Sequence, residues 1–364
     1  MPSSSSPRAP DVRARGRGRA TTTPVRRPVH GVLEAIGDTP LVALTRFLDA
    51  PRINVWAKLE SANPGGSIKD RPAARMVLDA LHDGSIGPGT TVIESTSGNM
   101  GVGLAQACLY HGLGLICVVD SRAHERNLRT LRALGADVRV VSRPDPATGD
   151  LLTARLALVA QLVATTPGAF WPNQYANASN PAAHACGTMR EIDEALDGHV
   201  DVAFVATSTA GTLHGCGDYL REHGRATRLI AVDAVGSALF GGARAARALP
   251  GFGAGIETEL SRGAAFDELV RVSDVDCVVG CRRLVAREAI LAGGSSGAVA
   301  WALESVAPRL PDGSRCVLIL PDGGAGYLRT VYDDDWVAQR LGLSPQDLAI
   351  RVGKSDRRLA PAAA

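Results

Sequence analysis

Short apolar runs rich in β-branched residues alternate with longer stretches of helical periodicity from about residue 90 onward. The runs predict strands over residues 91–94, 115–119, 138–141, 202–206, 228–232 and 316–320. The longer stretches predict helices over residues 100–111, 125–134, 151–165, 182–196, 213–223, 283–292 and 297–307. Strands that alternate with helices indicate an α/β fold in which helices cover both faces of parallel sheets. The length of the chain favours two such sheets over one.

The composition is that of a folded globular protein, because 45% of the 364 residues are hydrophobic and 21% are charged. No apolar run is long enough for a transmembrane helix, and the N-terminus lacks the apolar centre of a signal peptide. The seven cysteines include no CxxC pair, and the eight histidines show no metal-binding spacing. We therefore expect reduced cysteines, no bound metal, no membrane contact and a cytoplasmic location.

Residues 1–28 form a basic segment with seven arginines, one aspartate and few apolar side chains. Such a segment buries too little apolar surface to offset its ordering entropy, so we predict a disordered tail. It carries a net charge of +6, so the formal charge of +2 for the whole chain becomes −4 for the remainder. Without a basic face on the folded part, we expect no binding of nucleic acid. No element is predicted in residues 342–364, which are assigned to a C-terminal tail.

Only three of the 39 basic residues are lysines: Lys58, Lys69 and Lys354. Lys69 lies in the segment Asn-Pro-Gly-Gly-Ser-Ile-Lys-Asp-Arg-Pro at 63–72, which predicts a turn and then a helix with Ser67 as its N-cap. At the positive end of a helix and under apolar cover, a lysine has a lowered pKa, which favours the neutral amine that a Schiff base needs. From spacing alone, an ordinary solvated lysine remains the alternative.

Three further segments are rich in glycine and hydroxyl side chains and precede predicted helices. They are Glu-Ser-Thr-Ser-Gly-Asn-Met-Gly at 94–101, Ala-Thr-Ser-Thr-Ala-Gly-Thr at 206–212 and Gly-Gly-Ser-Ser-Gly at 293–297. Hydroxyl and N–H groups at a helix N-terminus suit a carboxylate or a phosphate. None of the segments has the spacing of a Walker A loop or of GxGxxG, so nucleotide hydrolysis and dinucleotide binding have no support. Taken singly, the segment 94–101 is equally compatible with an ordinary helix cap, and for 293–297 an ordinary cap is the more common arrangement.

Together, in this order and spacing, the four motifs resemble the fold-type II family of pyridoxal-phosphate (PLP) enzymes, which includes cysteine synthases, cystathionine β-synthases and threonine dehydratases. The resemblance covers residues 31–332 and includes Ile-Gly-Asp-Thr-Pro-Leu-Val at 36–42. It implies a fold like that of the tryptophan synthase β subunit, with two open parallel-sheet domains and the cofactor between them. The large domain would comprise 29–61 and 174–341, and the small domain 62–173. The resemblance also implies a homodimer.

The resemblance also implies roles for individual residues. Lys69 would be the Schiff-base lysine and the general base, Asn99 would hydrogen-bond the phenolic oxygen of PLP, and Ser295 would face the pyridine nitrogen. The cofactor phosphate would be held by Ser208, Thr209, Ala210, Gly211 and Thr212. The α-carboxylate of the amino-acid substrate would be bound by Thr96, Ser97, Gly98 and Gln174. A serine opposite the pyridine nitrogen favours loss of a β leaving group followed by β-replacement.

Within the family, segments 63–67, 94–99 and 171–175 resemble the siderophore-pathway synthases that join O-phospho-L-serine to L-glutamate. Their product, N-(2-amino-2-carboxyethyl)-L-glutamate, is a precursor of 2,3-diaminopropionate. Cysteine synthases more often have proline at the position of Ser95 and glycine at that of Ser208. A dianionic phosphate leaving group needs more donors than acetate does, and Ser208, Tyr175 and Arg155 are the side chains that we expect to supply them.

Other functions stay open at this point. The main alternative is a cysteine synthase that combines O-acetylserine or O-phosphoserine with sulfide. A dehydratase or threonine synthase would instead release ammonia and a keto acid, or make threonine. A PLP-fold protein that only binds a partner is a further alternative, against which the intact set of Lys69, Asn99 and Ser295 argues.

Overall fold

The computed structural model describes residues 28–49, 52–121, 123, 125–149 and 151–353. Its strands are β1 (Leu41–Ala43), β2 (Asn54–Leu59), β3 (Thr91–Ser95), β4 (Gly114–Asp120), β5 (Asp137–Val141), β6 (Ala169–Phe170), β7 (Val202–Ala206), β8 (Arg228–Ala234), β9 (Glu268–Val272) and β10 (Arg315–Leu320). Its helices are α1 (Asp70–His82), α2 (Asn99–Tyr110), α3 (Glu125–Ala133), α4 (Leu151–Thr165), α5 (Ser179–Ala183), α6 (Arg190–Ala195), α7 (Gly211–Glu222), α8 (Glu259–Arg262), α9 (Asp274–Glu288), α10 (Gly294–Val306), α11 (Asp334–Leu341) and α12 (Pro345–Val352).

The strands form two sheets. The six-stranded sheet has the order β1-β2-β10-β7-β8-β9, in which β1 is antiparallel and the other pairs are parallel. The four-stranded sheet has the order β5-β4-β3-β6 and is parallel throughout. The predicted α/β fold with two open parallel sheets is thereby confirmed. The strands of the larger sheet fall in 29–61 and 174–341 and those of the smaller sheet in 62–173, but the division into two domains stays a prediction.

Successive residues of the central strands face opposite sides of the larger sheet, so each side has its own core. In β7, Phe204 packs with α9 and α10, whereas its neighbour Val205 packs with α6 and α7. The smaller sheet packs against α1, α2 and α3 on one side and α4 on the other. Both sheets are thus covered by helices on both faces. In such sheets, ligands bind at the loops that follow the carboxyl ends of the strands.

Several elements differ from the prediction. The helix expected over 182–196 is α5, a π-helical turn at His184–Met189, and α6. The helix expected over 283–292 begins earlier, because Ser273 caps its first turn, and ends earlier, because Ala289 adopts left-handed backbone with φ 57°. β1, β6 and β9 were not predicted, since they are short or lie at an edge of a sheet.

The C-terminal region also differs. Beyond residue 342, where no element is predicted, Ser344 caps α12 and the side chains of Leu348 and Val352 are buried in the core. The disordered tail predicted for residues 1–28 lies, except for Pro28, outside the described residues, and so do residues 354–364. None of the helices in the described ranges is long and apolar enough to span a membrane.

Candidate active site

Lys69 is positioned by a turn that follows β2. The N–H of Gly66 donates to the carbonyl of Asn63, and Gly66 adopts a φ of +86° that only glycine takes readily. The next residue, Ser67, forms an antiparallel bridge with Asp322, which keeps it extended. The expectation that Ser67 is the N-cap is therefore wrong: α1 begins at Asp70, and the Ser67 hydroxyl accepts only the N–H of Lys69.

The Lys69 amine is suited to covalent attachment because it is buried and forms no hydrogen bond with the described residues. Burial lowers its pKa to about 8, although the nearby charge of Asp322 opposes this shift. Lys58 is different, because its amine lies 2.7 Å from a carboxylate oxygen of Glu191 and 2.7 Å from the carbonyl oxygen of Thr39. Lys354 lies outside the described residues. Of the two lysines that the structure describes, Lys69 is thus the one whose amine is free to react.

A buried ion-pair network holds the start of α1. Arg71 donates to both carboxylate oxygens of Glu60 and of Glu191, at 2.6–2.9 Å. Asn63, in the turn before Lys69, donates to Glu60 over 2.9 Å. Because Arg71 and Glu60 are almost fully buried, each charge depends on its partners, and the turn before Lys69 is fixed to this network.

Asn99 and Asp322 meet at the carboxyl ends of their strands. The Asn99 Nδ2 donates to Asp322 Oδ2 over 2.9 Å, and the Tyr327 hydroxyl donates to the same oxygen over 2.9 Å. Sequence reasoning missed Asp322 and Tyr327. A signal was present, because Pro-Asp-Gly-Gly at 321–324 directly follows the predicted strand 316–320, where a parallel sheet presents ligand-binding residues.

Ser295 lies in the first turn of α10, close to the same point. The N–H of Gly293, the N-cap of α10, donates to the carbonyl of Asp322. A side chain at 293 would place its Cβ 2.0 Å from Asp322 Oδ1, so only glycine fits there. The Ser295 hydroxyl has no hydrogen-bond partner in the described residues and is available to a ligand.

The segment 207–212 joins β7 to α7 and has the features of an anion site. The N–H groups of Ser208, Thr209 and Ala210 donate to no other group in the described part of the chain. Ala210 adopts left-handed backbone with φ 68°, which turns the chain at the positive end of α7. A Cβ on Gly211 would lie 2.2 Å from Asn180 Oδ1, so the backbone approaches as glycine alone permits.

His184, in the π-helical turn, lies behind this segment, with its Nε2 3.3 Å from the Thr212 hydroxyl. Burial and the charges of Lys69 and Arg71 hold its pKa well below the usual value, so the imidazole is neutral. Sequence reasoning missed His184, since a lone histidine carries no pattern.

Gln174 connects the loop after β3 with the segment 207–212. Its Nε2 donates to the carbonyl of Ser95, and its own carbonyl accepts from Asn180 Nδ2, which also contacts the Thr209 hydroxyl. The backbone N–H of Gln174 donates to Glu94, a carboxyl group whose pKa burial raises to about 7.

Thr96, Ser97 and Gly98 form the loop after β3 and lead into α2. The Thr96 hydroxyl accepts from the N–H of Gly101, and the Ser97 carbonyl accepts from Asn127 Nδ2. Thr96 thus also stabilises the first turn of α2. The contact of this loop with a substrate carboxylate stays a prediction.

Tyr175 and Arg155 lie near each other beside Gln174. Burial raises the pKa of Tyr175 to about 12, while the charge of Arg155 opposes and that of Glu94 adds to the shift. The Arg155 Nε lies 3.5 Å from Asp120 Oδ2 and is buried without a hydrogen bond. Arg155 is only 13% exposed and is therefore not a solvated surface residue.

The structure thus brings Lys69 and Asn99 to Asp322 and connects Gln174 with Ser95 and, through Asn180, with Thr209, although the roles of the predicted residues toward cofactor and substrate stay predictions. The donor set fits PLP. The Lys69 amine has no hydrogen-bond partner in the described residues, and its charge acts on His184, which contacts Thr212 beside the three unpartnered backbone N–H groups of 208–210. The amine suits the aldehyde of PLP, and the N–H groups suit its phosphate.

Comparison with known proteins agrees with this geometry. A family profile described as "Pyridoxal-phosphate dependent enzyme" matches residues 32–322. Two relatives are named N-(2-amino-2-carboxyethyl)-L-glutamate synthase. The one from Ralstonia nicotianae is 45% identical over 85% of this chain and 91% of its own length. The one from Cupriavidus metallidurans is 44% identical over 85% of this chain and 92% of its own length.

Two solved structures share the fold. One is the O-acetylserine dependent cystathionine β-synthase from Helicobacter pylori, with a TM-score of 0.78, 31% identity, and coverage of 84% of this chain and 99% of that one. The other is an O-ureido-L-serine synthase, with a TM-score of 0.77, 32% identity, and coverage of 85% and 100%. The expected fold-type II architecture and the expected cofactor are confirmed. On this sequence match, fold and site, the chain belongs to the pyridoxal-phosphate dependent enzymes.

Proposed function

We propose that the enzyme joins O-phospho-L-serine to L-glutamate by β-replacement and releases phosphate, giving N-(2-amino-2-carboxyethyl)-L-glutamate. The observation that carries the proposal is the pair of half-buried donors, Tyr175, which follows Gln174 in the chain, and Arg155, whose charge acts on Tyr175. The names of the two relatives at 44–45% identity support the same reaction. The product would be a precursor of 2,3-diaminopropionate, for a siderophore or an antibiotic.

When bound, PLP would supply the electron sink that lets the α-carbon of the amino acid lose its proton. Lys69 would hold the cofactor and then take that proton at Nζ. With a pKa of about 8, an appreciable fraction of free Lys69 amine is neutral near pH 7.5 and able to accept a proton. Asn99 and Ser295 would orient the cofactor, and the N–H groups of 208–210 would bind its phosphate.

The leaving group explains the additional donors. Phosphate departs from Cβ as a dianion, and charge-assisted hydrogen bonds to it are stronger than bonds between neutral groups. The Nε of Arg155 forms no hydrogen bond, although it lies 3.5 Å from Asp120 Oδ2, and Tyr175 remains a protonated donor because its pKa is about 12. Acetate, with a single charge, gains less from the same groups.

The decisive experiment combines the purified enzyme with O-phosphoserine and, separately, glutamate or sulfide, and identifies the product by mass spectrometry. With glutamate we expect N-(2-amino-2-carboxyethyl)-L-glutamate and phosphate as the products. The kcat/KM of this reaction should exceed that of cysteine formation from sulfide. Efficient cysteine formation with no glutamate adduct would refute the proposal and favour a cysteine synthase. Ammonia and a keto acid as the products would favour a dehydratase.

The donors are tested by substituting Ser208→Gly together with Tyr175→Phe. We expect kcat/KM for O-phosphoserine to fall at least tenfold relative to that for O-acetylserine, the equivalent of one lost charge-assisted hydrogen bond of about 1.5 kcal/mol or more. Tyr219→Phe is the control, because that hydroxyl bonds Asp193 away from the site. An unchanged ratio between the two substrates in the double variant would contradict the assignment.

A cytoplasmic location and a homodimer are part of the proposal. The state of the seven cysteines, all described and none in a disulfide, supports a reducing compartment. The homodimer rests on the family resemblance, and light scattering on the purified chain measures it.

A further inference from the structure

Asp322 lies between the two segments that carry Lys69 and Ser295. On one side, Asp322 forms the antiparallel β-bridge with Ser67, and the N–H of Ile68 donates to the carbonyl of Pro321. These contacts attach the end of β10 to the segment before Lys69. On the other side, Gly293 N–H donates to the Asp322 carbonyl. Its backbone is therefore fixed from both directions.

The side chain of Asp322 is held just as firmly, but only at one oxygen. Oδ2 accepts from Asn99 and from Tyr327, whereas Oδ1 is buried and has no hydrogen-bond partner in the described residues. The residue is 7% exposed. A buried carboxylate with one unpartnered oxygen is costly unless a positive charge lies near it.

Four charged or titratable groups of the described residues face Asp322. Lys69 comes from the segment before α1, Arg126 from α3, Tyr327 from the turn after β10, and Cys281 from α9. Burial raises the pKa of Asp322, while Asn99, Tyr327 and the two cations lower it. Tyr327 and Cys281 have raised pKa values and stay neutral, so among the described residues the positive charges that act on Asp322 are those of Lys69 and Arg126.

We propose that Asp322 is a positioning residue. Its carboxylate acts as the counter-charge of Lys69 and stabilises the protonated state of the Lys69 Nζ. When Lys69 takes the proton from the α-carbon of the substrate, the C–H bond breaks and Nζ becomes an ammonium. The electron pair of that bond becomes the Cα–Cβ double bond as phosphate leaves with the electrons of the Cβ–O bond. Asp322 gains and loses no proton. Its negative charge lowers the free energy of that ammonium, and its bond to Nδ2 fixes the orientation of the Asn99 amide. The inference rests on the PLP chemistry of Lys69, whichever nucleophile follows.

The test is Asp322→Asn in the holoenzyme, which keeps the size and an acceptor oxygen but removes the charge. The visible absorbance of the lysine-bound cofactor is titrated with pH in the absence of substrate. We expect the midpoint to fall by about one pH unit or more, the shift that an opposite charge within several ångström produces. The basic limb of the pH profile for phosphate release from O-phosphoserine should shift in the same direction.

Asp193→Asn is a matched control. Asp193 is also buried, its Oδ2 also accepts from a tyrosine hydroxyl, and its Oδ1 also has no hydrogen-bond partner in the described residues. It lies on α6, however, and its ion-pair partner is Arg225 and not Lys69. It should lower stability without moving the midpoint. The variant Tyr327→Phe keeps the charge of Asp322, so the midpoint of its absorbance titration should stay near that of the wild type. A wild-type midpoint in Asp322→Asn, or an equal shift in Tyr327→Phe, would overturn the proposal.

If Asp322→Asn binds PLP too weakly for a spectrum, the full-length cofactor-free chain provides a second measurement. Reductive ¹³C-methylation labels the N-terminal amine and at most three lysines, so the NMR signal of Lys69 can be assigned and titrated. The Lys69 pKa should fall below the wild-type value, and an unchanged pKa would refute the counter-charge. Because no measurement of the midpoint uses glutamate, failure of this inference is distinguishable from failure of the proposed reaction.

Discussion

Glu191 lies at the centre of the buried network that fixes the start of α1, and its replacement by glutamine should be costly. Its carboxylate contacts Arg71 through two hydrogen bonds of 2.6 and 2.8 Å and Lys58 at 2.7 Å, and its side chain is 8% exposed. Burial alone would raise its pKa, but Arg71 and Lys58 lower it from 4.5 to about 2. A shift of this size corresponds to about 3 kcal/mol, within the range of roughly 3–5 kcal/mol for breaking a buried pair.

The assay is thermal unfolding of Glu191→Gln beside Glu194→Gln, the same substitution on the same helix. Glu194 is 59% exposed, and its ion-pair partner in the described residues is Arg190, so its loss should cost less than about 1 kcal/mol. We expect Tm to fall by roughly 5–15 °C in the first variant and by less than about 3 °C in the second at pH 7.

The pH dependence follows from the lowered pKa of Glu191. The stabilisation is complete above the unfolded-state pKa near 4.5 and is lost as pH falls toward about 2. The Tm difference between wild type and Glu191→Gln should therefore narrow below pH 4.5. Equal Tm losses for the two variants, or a difference that does not change with pH, would refute the reasoning.

Three further outcomes are expected. Borohydride reduction of the holoenzyme followed by peptide mapping should find the cofactor on Lys69 alone, and label on another lysine would contradict the assignment. Gly211→Ala should lower cofactor occupancy, because its Cβ would lie 2.2 Å from Asn180 Oδ1, and equilibrium dialysis of PLP measures this. The raised pKa of Glu94, about 7, should make the folded state lose stability as pH rises from 4.5 through 7, because the folded form holds a proton that the unfolded form has lost. Glu94→Gln should remove that part of the decline, as seen in Tm measured from pH 5 to 8.

The parts of the fold that the sequence predicts well are those with a strong local pattern. β7 has its predicted bounds, and α4 covers the residues expected, because apolar runs and helical periodicity are local properties. β9 reads Glu-Leu-Val-Arg-Val at an edge of the sheet, and there the pairing with β8 determines the strand. The π-helical turn at His184–Met189 depends on packing against α7 and has no signature in the residues themselves.

The candidate site divides in the same way. Lys69, Asn99 and Gly211 lie in motifs with recognisable composition, and the structure brings their segments together. Asp322 and His184 became visible only through contacts between segments more than 25 residues apart. The N-cap assigned to Ser67 failed for this reason, since the bridge to Asp322 overrides a local capping preference.

The different states of the two described lysines have a practical consequence for how the cofactor is captured. PLP carries an aldehyde that condenses with primary amines, whereas arginine stays charged and does not form the same adduct. In the part of the chain that the structure describes, the Lys58 amine is occupied by Glu191 and only the Lys69 amine is unengaged. Within the described residues the cofactor aldehyde therefore meets one unengaged lysine, and an amine-directed reagent followed by peptide mapping reports cofactor loading, since Lys69 is labelled in the empty enzyme and protected in the full one.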